Sequence, residues 1–148
     1  METEALEIIL IEDNSADVEL TLRALKKNHI TNRVLVLKDG EEALNFLLMR
    51  GPYQNRPDIR PKLILLDLKL PKVDGLEILR IIKGHPKLKI IPVVVLTSSH
   101  QESDLVKSYH LGANSYIVKP VDFDQFVQAV RELGLYWLLI NTLPQKEC

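Results

Sequence analysis

The fold is decided by the stretch LILLD, Leu63–Asp67, in which four aliphatic residues end abruptly on a carboxylate. A short apolar run without alternating polar residues is typical of a strand buried on both faces, as the strands of a parallel sheet are. Aspartate is seldom buried without a partner, so its position directly after such a run is unusual for a purely structural residue. The stretch therefore predicts a buried strand with Asp67 at its carboxyl end.

Four further apolar runs alternate with amphipathic segments on both sides of this stretch. The runs predict strands at Leu6–Ile11, Val34–Leu37, Ile90–Leu96 and Ser115–Val118. The segments between them predict helices at Ser15–Asn28, Gly40–Met49, Leu76–Lys83 and Gln101–His110, with a fifth helix from Asp122 onward and Ser15 as the cap of the first. Strands that alternate with helices pair in parallel through helical crossovers. The predicted fold is a doubly wound α/β sheet of five parallel strands.

The composition excludes several classes of function. The chain has 148 residues, the size of one domain, and its 19 Lys and Arg against 20 Asp and Glu give a net charge of −1. Nucleic acids and anionic membranes usually require a clear basic excess, so we expect neither as a partner. The apolar runs are far shorter than the about 20 residues of a membrane span, and the acidic N-terminus does not resemble a secretory signal. These features predict a cytoplasmic, single-domain protein.

Polar side chains follow four of the predicted strands, at the edge where a doubly wound sheet binds its ligands. They are Glu12 and Asp13, Asp67, Thr97 and Lys119. Three neighbouring carboxylates repel one another unless they share a cation, and oxygen ligands of this kind suit Mg²⁺. Asp67 can then act as a nucleophile toward phosphorus. Lys119 supplies a positive charge and Thr97 a hydroxyl donor for phosphoryl oxygens.

Each of these residues also has a purely structural interpretation. Glu12 and Asp13 can cap the first helix, Asp67 can simply end a strand, and Lys119–Pro120 can form a turn. Their joint placement at one edge favours a functional site. The irregular segment RGPYQNRPDIRPK, Arg50–Lys62, stays open between a solvated loop and a contact surface for a partner.

The same residues carry a family resemblance. The motifs are IEDN at Ile11–Asn14, LLDLKLPKVDG at Leu65–Gly75, VLTSS at Val95–Ser99 and GANSYIVKP at Gly112–Pro120. The sequence resembles the receiver domain of two-component response regulators over nearly its whole length. The resemblance implies a flavodoxin-like (CheY-like) sheet with strand order 2-1-3-4-5. It also implies a single receiver domain over residues 1–148, with no output domain and with residues 134–148 as a C-terminal extension.

The resemblance assigns the acidic residues to phosphorylation and metal binding. Asp67 is then the phosphorylation site, which receives its phosphoryl group from a histidine kinase. Mg²⁺ is held by Glu12, Asp13, Asp67 and the backbone carbonyl of Lys69. The chain is therefore expected to be a phospho-accepting signalling protein and not an enzyme.

The resemblance also assigns the residues around the phosphoryl group. Thr97 and Lys119 contact it, Thr97 and Tyr116 form the switch pair, and the Lys119–Pro120 bond is cis. Arg50–Lys62 and the C-terminal GLYWLLINTLPQ, Gly134–Gln145, resemble the small stand-alone regulators that serve cyanobacterial phytochrome kinases. A phytochrome-type histidine kinase is therefore the implied partner.

Two other classes of function share part of this residue pattern. A phosphohydrolase of the haloacid-dehalogenase type also uses a strand-end aspartate with Mg²⁺, but its general acid is a second aspartate two residues on. Lys69 occupies that position here and cannot serve as the acid at neutral pH. An interaction module with a decayed site is disfavoured because all the polar strand-end residues are retained.

The C-terminal helix predicts either a homodimer or a folded-back tail. Phe126 belongs to an apolar stripe at helical spacing that is most simply core, whereas Leu135, Tyr136 and Leu139 fall on the opposite side. Gly134 can end the helix and let the following residues fold back over the domain. Otherwise the apolar patch marks a two-fold interface, with Phe126, Leu135, Tyr136 and Leu139 as the dimer candidates.

Overall fold

The structure, a computed structural model, describes residues 8–26, 33–58, 60–98 and 107–134. Its strands are β1 Ile8–Ile11, β2 Val34–Leu37, β3 Leu63–Asp67, β4 Val93–Thr97 and β5 Ser115–Val118. All neighbouring strands pair in parallel in the order β2-β1-β3-β4-β5. The predicted fold and strand order are therefore confirmed.

Four helices that lie wholly within the described residues connect and flank these strands. They are α1 Ser15–Lys26, α2 Gly40–Leu47, α3 Gly75–Gly84 and α4 Phe123–Glu132. The last of these is the fifth helix of the sequence-based prediction. Of the helix predicted at Gln101–His110, residues 107–110 are helical, and residues 101–106 lie outside the described residues.

The cap of α1 and the beginning of β4 differ from the prediction. The helix α1 is capped by Asn14, whose Oδ1 accepts a hydrogen bond from the Asp17 N–H at 2.9 Å, and not by Ser15. The strand β4 begins at Val93, because the preceding residues form turns that leave Ile90 67% exposed. In that turn the Ile91 N–H bonds to the Leu88 carbonyl, so it is not available to a strand partner.

The core lies on both faces of the sheet because successive strand residues point to opposite sides. Ile9 and Ile64 pack on the side of α2 and α3, whereas Ile8 and Leu63 pack on the other side. Phe126 of α4 is 1% exposed in this second cluster. Its prediction as a dimer contact is corrected, because a side chain fully buried in its own domain offers no surface to a second copy.

Within the segment Arg50–Lys62, the side chains of Tyr53 and Arg56 pack against α2. The segment begins with a short 3₁₀ helix at Gly51–Tyr53, and the Tyr53 ring meets Phe46 edge-on at 5.2 Å. The guanidinium of Arg56 lies 4.1 Å from the centre of the Phe46 ring and donates to the Phe46 carbonyl at 2.8 Å. These contacts attach residues 53–56 to the C-terminal end of α2.

Candidate functional site

Three carboxylates meet at the edge of the sheet where the strands end. Glu12 and Asp13 follow β1 and Asp67 ends β3, and the pairing of Ile11 with Leu66 brings these positions side by side. One carboxylate oxygen of each lies within 4.8 Å of the others. Glu12 and Asp67 are 1% and 3% exposed, and Asp13 is exposed. Three clustered carboxylates of this kind fit a divalent cation that takes oxygen ligands and keeps positions open to water.

Lys119 directs its ammonium group into this cluster. Its Nζ lies 2.7 Å from Glu12 Oε1, 3.0 Å from Asp17 Oδ2 and 3.4 Å from Asp67 Oδ2. The Lys119 N–H donates to the Thr97 carbonyl at 2.8 Å, and the following bond to Pro120 is cis, as predicted. One positive charge therefore faces three carboxylates, which leaves net negative charge at this edge.

The pKa of Glu12 is shifted by burial and by the charges around it. The pKa of Glu12 is raised from 4.5 to about 7, chiefly by burial; the charge of Asp67 contributes to the rise and the Lys119 ammonium opposes it. Glu12 Oε1 forms an ion pair with Lys119 Nζ at 2.7 Å, but it accepts no hydrogen bond within the part of the chain described. Additional positive charge would stabilise the ionised form of this buried carboxylate. This is a second indication that the site suits a cation.

The pKa of Lys119 responds to the same neighbours. Burial lowers this pKa, but the close contact with the Glu12 carboxylate, the hydrogen bond to Asp17 and the charge of Asp67 outweigh burial, so the net pKa lies above its usual value. Lys119 therefore stays charged. Asp17 was not among the predicted site residues. It could have been recognised as an acidic residue in the first turn of α1, the helix that begins at this edge.

Thr97 and Tyr116 occupy different environments on neighbouring strands. Thr97 ends β4 and is 1% exposed. Its carbonyl accepts a hydrogen bond from the Lys119 N–H, which places it next to the residue whose ammonium group enters the cluster. Tyr116 lies in β5 with 37% exposure, and its ring meets Tyr109 edge-on at 5.9 Å. The tyrosine side chain thus lines an open groove of about 600 Å³ between β5 and α4.

The loop that follows Asp67 returns tightly to the start of α3. The Lys69 N–H donates to Asp67 Oδ1 at 3.3 Å, and the Gly75 N–H donates to the Leu68 carbonyl at 3.0 Å. A Cβ on Gly75 would lie 2.4 Å from the Asp67 carbonyl oxygen, so this close return requires glycine. The predicted site residues after β1, β3, β4 and β5 are therefore brought to one edge, with Tyr116 on the adjoining surface.

Comparisons with known proteins agree with this architecture. A family model described as the response regulator receiver domain matches residues 8–131. The chain is 46% identical over 137 residues to response regulator Rcp1 of Synechocystis sp., covering 93% of this chain and 92% of that protein. The structure of Rcp1 in its Mn²⁺-bound form is similar with a TM-score of 0.74, 45% identity and coverage of 93% of this chain and 99% of that one.

Two further solved structures are similar over nearly the whole chain. The bacteriophytochrome response regulator AtBRR is 52% identical with a TM-score of 0.84, covering 98% of this chain and 100% of that one. The phosphorylated cyanobacterial phytochrome response regulator RcpA is 45% identical with a TM-score of 0.76, covering 95% and 99%. With the family match and the geometry at the end of β3, these similarities show that the chain belongs to the response regulator receiver domain family, whose members accept a phosphoryl group.

Proposed function

We propose that Asp67 is the residue that accepts the phosphoryl group, and that a histidine kinase donates it. The observation that carries this assignment is the position of Asp67 at the end of β3, with its Oδ2 3.4 Å from Lys119 Nζ. One Asp67 carboxylate oxygen forms a bond to phosphorus while the bond from phosphorus to the kinase histidine breaks. The electron pair of that bond returns to the imidazole, which takes up a proton from water.

Mg²⁺ is the cation we assign to the acidic cluster, held by Glu12, Asp13, Asp67 and the backbone carbonyl of Lys69. When bound, it supplies positive charge that offsets the charge of the transferring phosphoryl oxygens. The cluster of carboxylate oxygens and the raised pKa of Glu12 support a hard divalent cation here. The Mn²⁺-bound form of Rcp1 supports the same conclusion from a relative.

Thr97 and Lys119 are proposed to contact the phosphoryl group. Thr97 and Tyr116 are proposed to change position when it is present and so to act as the switch pair. The ammonium of Lys119 exchanges part of its ion pairing with the carboxylates for a phosphoryl oxygen, and the Thr97 hydroxyl donates to another. Thr97 is buried at the end of β4, so its movement frees space under β5. Tyr116, now on the surface beside Tyr109, can turn into that space. The switch is a shift of population between two packings.

The proposed kinase partner is of the phytochrome type. This assignment is supported by the names of the bacteriophytochrome response regulator AtBRR and the phytochrome response regulator RcpA, to which the chain is 52% and 45% identical. The match over 92% of Rcp1 supports a single receiver domain that acts as a stand-alone regulator and not as an enzyme on a separate substrate. Residues 135–148, most of the predicted extension at 134–148, lie outside the described residues.

The remaining parts of the proposal concern association and location. A homodimer through Leu135, Tyr136 and Leu139 stays a prediction, because these residues lie outside the described residues. A net charge of −1 supports the absence of nucleic acid and membrane partners. None of the described helices is both long and apolar enough to cross a membrane. The proposed place of action is the cytoplasm, where histidine kinases transfer their phosphoryl groups.

Intact-mass analysis after incubation with acetyl phosphate and Mg²⁺ tests the assignment of Asp67. We expect one added phosphate on the natural chain and none on Asp67→Asn. Asp74→Asn is the matched control, because Asp74 is an exposed aspartate that caps α3 at the other end of the same loop. Equal labelling of Asp67→Asn and the natural chain would contradict the proposal.

A further inference from the structure

The loop between β3 and α3 contains a strained turn. Lys72 has a φ of +72°, and the Val73 N–H donates to the Pro71 carbonyl at 2.8 Å across it. A positive central φ with this hydrogen bond defines a γ-turn of the rare, strained kind. A side-chain-bearing residue keeps such a backbone conformation only where its surroundings hold it there, and such turns cluster at functional sites.

The first turn of α2 provides that hold. The Gly40 N–H donates to the Pro71 carbonyl at 3.1 Å, which is the same oxygen that closes the γ-turn. Lys72 Nζ lies 3.7 Å from Asp39 Oδ2 and 3.4 Å from Glu41 Oε1. The γ-turn is therefore joined to residues 39–41 by one hydrogen bond and two ion pairs.

Gly40 also contacts the turn without any intervening side chain. A Cβ on Gly40 would lie 2.3 Å from the Val73 carbonyl oxygen and 2.6 Å from the Val73 Cβ. Backbone atoms cannot give way as the far end of a flexible side chain can. Any larger residue at this position must therefore displace the turn or the start of α2.

The start of α2 is held in place by its own hydrogen bonds. The Glu42 N–H donates to Asp39 Oδ1 at 2.7 Å, which caps the helix, and the Lys38 N–H, just before the cap, donates to Glu42 Oε1 at 2.9 Å. Tyr53 adds a hydrogen bond from its hydroxyl to Glu42 Oε2 at 3.1 Å. We therefore expect a Cβ at position 40 to displace the γ-turn rather than the start of α2.

The other end of the loop is joined to the site. The Lys69 N–H donates to Asp67 Oδ1, and Gly75 is packed against the Asp67 carbonyl with no room for a Cβ. Because the loop is short and held at Gly75, a displacement of the γ-turn is transmitted to Lys69. Lys69 is the residue whose carbonyl we assign to the cation.

We propose that residues 39–41 form a clamp on the γ-turn, and that Gly40 is a positioning residue for the cation site. The α2 clamp acts through Pro71 and Val73 on Lys69 and does not touch the cation or the phosphoryl group. This inference rests on the proposed function in one respect, the assignment of Lys69 to the cation. It places a determinant of the site on a helix that contributes no ligand to it.

Gly40→Ala tests the clamp through two measurements that involve no phosphorylation. We expect the Mn²⁺ dissociation constant to rise about tenfold, the lower end of the effect of removing outer supports of a metal site. We also expect faster deuterium exchange of the backbone amides of residues 68–75 in the cation-free protein. Gly84→Ala is the matched control, because a Cβ at Gly84 in α3 meets nothing within 4 Å. It should change neither measurement.

A structural role alone would give a different result. If Gly40→Ala lowers the melting temperature but leaves both the Mn²⁺ dissociation constant and the exchange of residues 68–75 unchanged, the clamp is overturned. A natural chain that binds no Mn²⁺ would contradict the proposed function, and the exchange measurement would still decide the clamp.

Lys72→Met provides a second test should Gly40→Ala fail to fold. The Lys72 side chain is 58% exposed, so its loss does not open the core. Removing a positive charge near a cation site would by itself tighten cation binding, whereas loss of the clamp weakens it. We expect weaker Mn²⁺ binding, with the exposed Lys87→Met unchanged as control. Tighter or unchanged binding by Lys72→Met would overturn the inference.

Discussion

Two partly buried lysines lie at opposite edges of the same sheet, and their surroundings differ. Lys119, where the strands end, faces the carboxylates of Glu12, Asp17 and Asp67. Lys83, where the strands begin, donates to the Ile91 carbonyl at 2.8 Å and also reaches the Lys89 carbonyl and the side-chain oxygen of Asn114. One ammonium is therefore surrounded by charge and the other by neutral oxygens.

This difference appears in the pKa of each group. Burial lowers the pKa of Lys83 below its usual value, because neutral acceptors do not offset the lost hydration of its charge. The pKa of Lys119 lies above its usual value, because its carboxylate partners outweigh burial. Charged partners can be exchanged for a phosphoryl oxygen, whereas the carbonyls around Lys83 belong to the backbone. We infer that Lys119 serves the reaction and Lys83 serves the fold.

The largest expected effect follows from removing Lys119. Lys119→Met should slow phosphorylation by acetyl phosphate roughly a hundredfold or more, the usual cost of losing one donor to a developing oxyanion. The measurement is the rate of appearance of the phosphorylated mass with Mg²⁺ present. Lys83→Met is the control and should keep the natural rate. A Lys119→Met chain that reacts at the natural rate would remove Lys119 from the site.

Removing Lys83 should affect stability and not reaction rate. Lys83→Met removes the Lys83 hydrogen bond to the Ile91 carbonyl and one of the two donors to Asn114 Oδ1, which costs about 1–3 kcal/mol. Urea unfolding followed by circular dichroism measures this change. Lys87→Met, on the exposed surface close by, should unfold like the natural chain. If Lys83→Met slows phosphorylation and leaves the free energy of unfolding unchanged, the assignment of Lys83 to the fold and Lys119 to the reaction is wrong.

A double-mutant cycle isolates the contact between Lys83 and Asn114. Asn114 Oδ1 accepts from Lys83 Nζ at 3.0 Å and from the Val93 N–H at 2.8 Å, so it connects α3 to the starts of β4 and β5. We expect a coupling of about 1 kcal/mol between Lys83→Met and Asn114→Ala in the free energy of unfolding. The pair Lys87→Met and Asn114→Ala should be additive. Additivity of the first pair would mean that the two side chains stabilise the fold independently.

The smallest effect concerns pH. Because the pKa of Lys83 is lowered in the folded state, the unfolded chain binds more protons at this group between that lowered pKa and 10.5. The free energy of unfolding of the natural chain should therefore rise relative to that of Lys83→Met as the pH increases through this window. Denaturant titrations of both chains at several alkaline pH values measure the difference. A constant or falling difference would contradict the neutral surroundings of Lys83.

The amino-acid sequence determined which residues form the sheet and which polar residues follow its strands. The strands β2 and β5 begin and end where predicted, because short apolar runs between turn-forming residues are local signals. Once the strands are parallel, residues such as Asp67 and Thr97 must share one edge. The predicted start of β4 at Ile90 was wrong, and the strand begins at Val93. An apolar residue in the sequence does not by itself distinguish a strand from an exposed turn.

Tertiary structure alone decided which distant residues meet. The ion pair between Asp17 and Lys119, the hydrogen bond from Lys83 to Asn114 and the approach of Gly40 to Val73 each join residues far apart in the chain. No local pattern encodes these contacts, because they depend on the twist and register of the sheet and on how each helix lies across it. The burial of Phe126 follows from the same packing, which determines the side of α4 that meets the sheet.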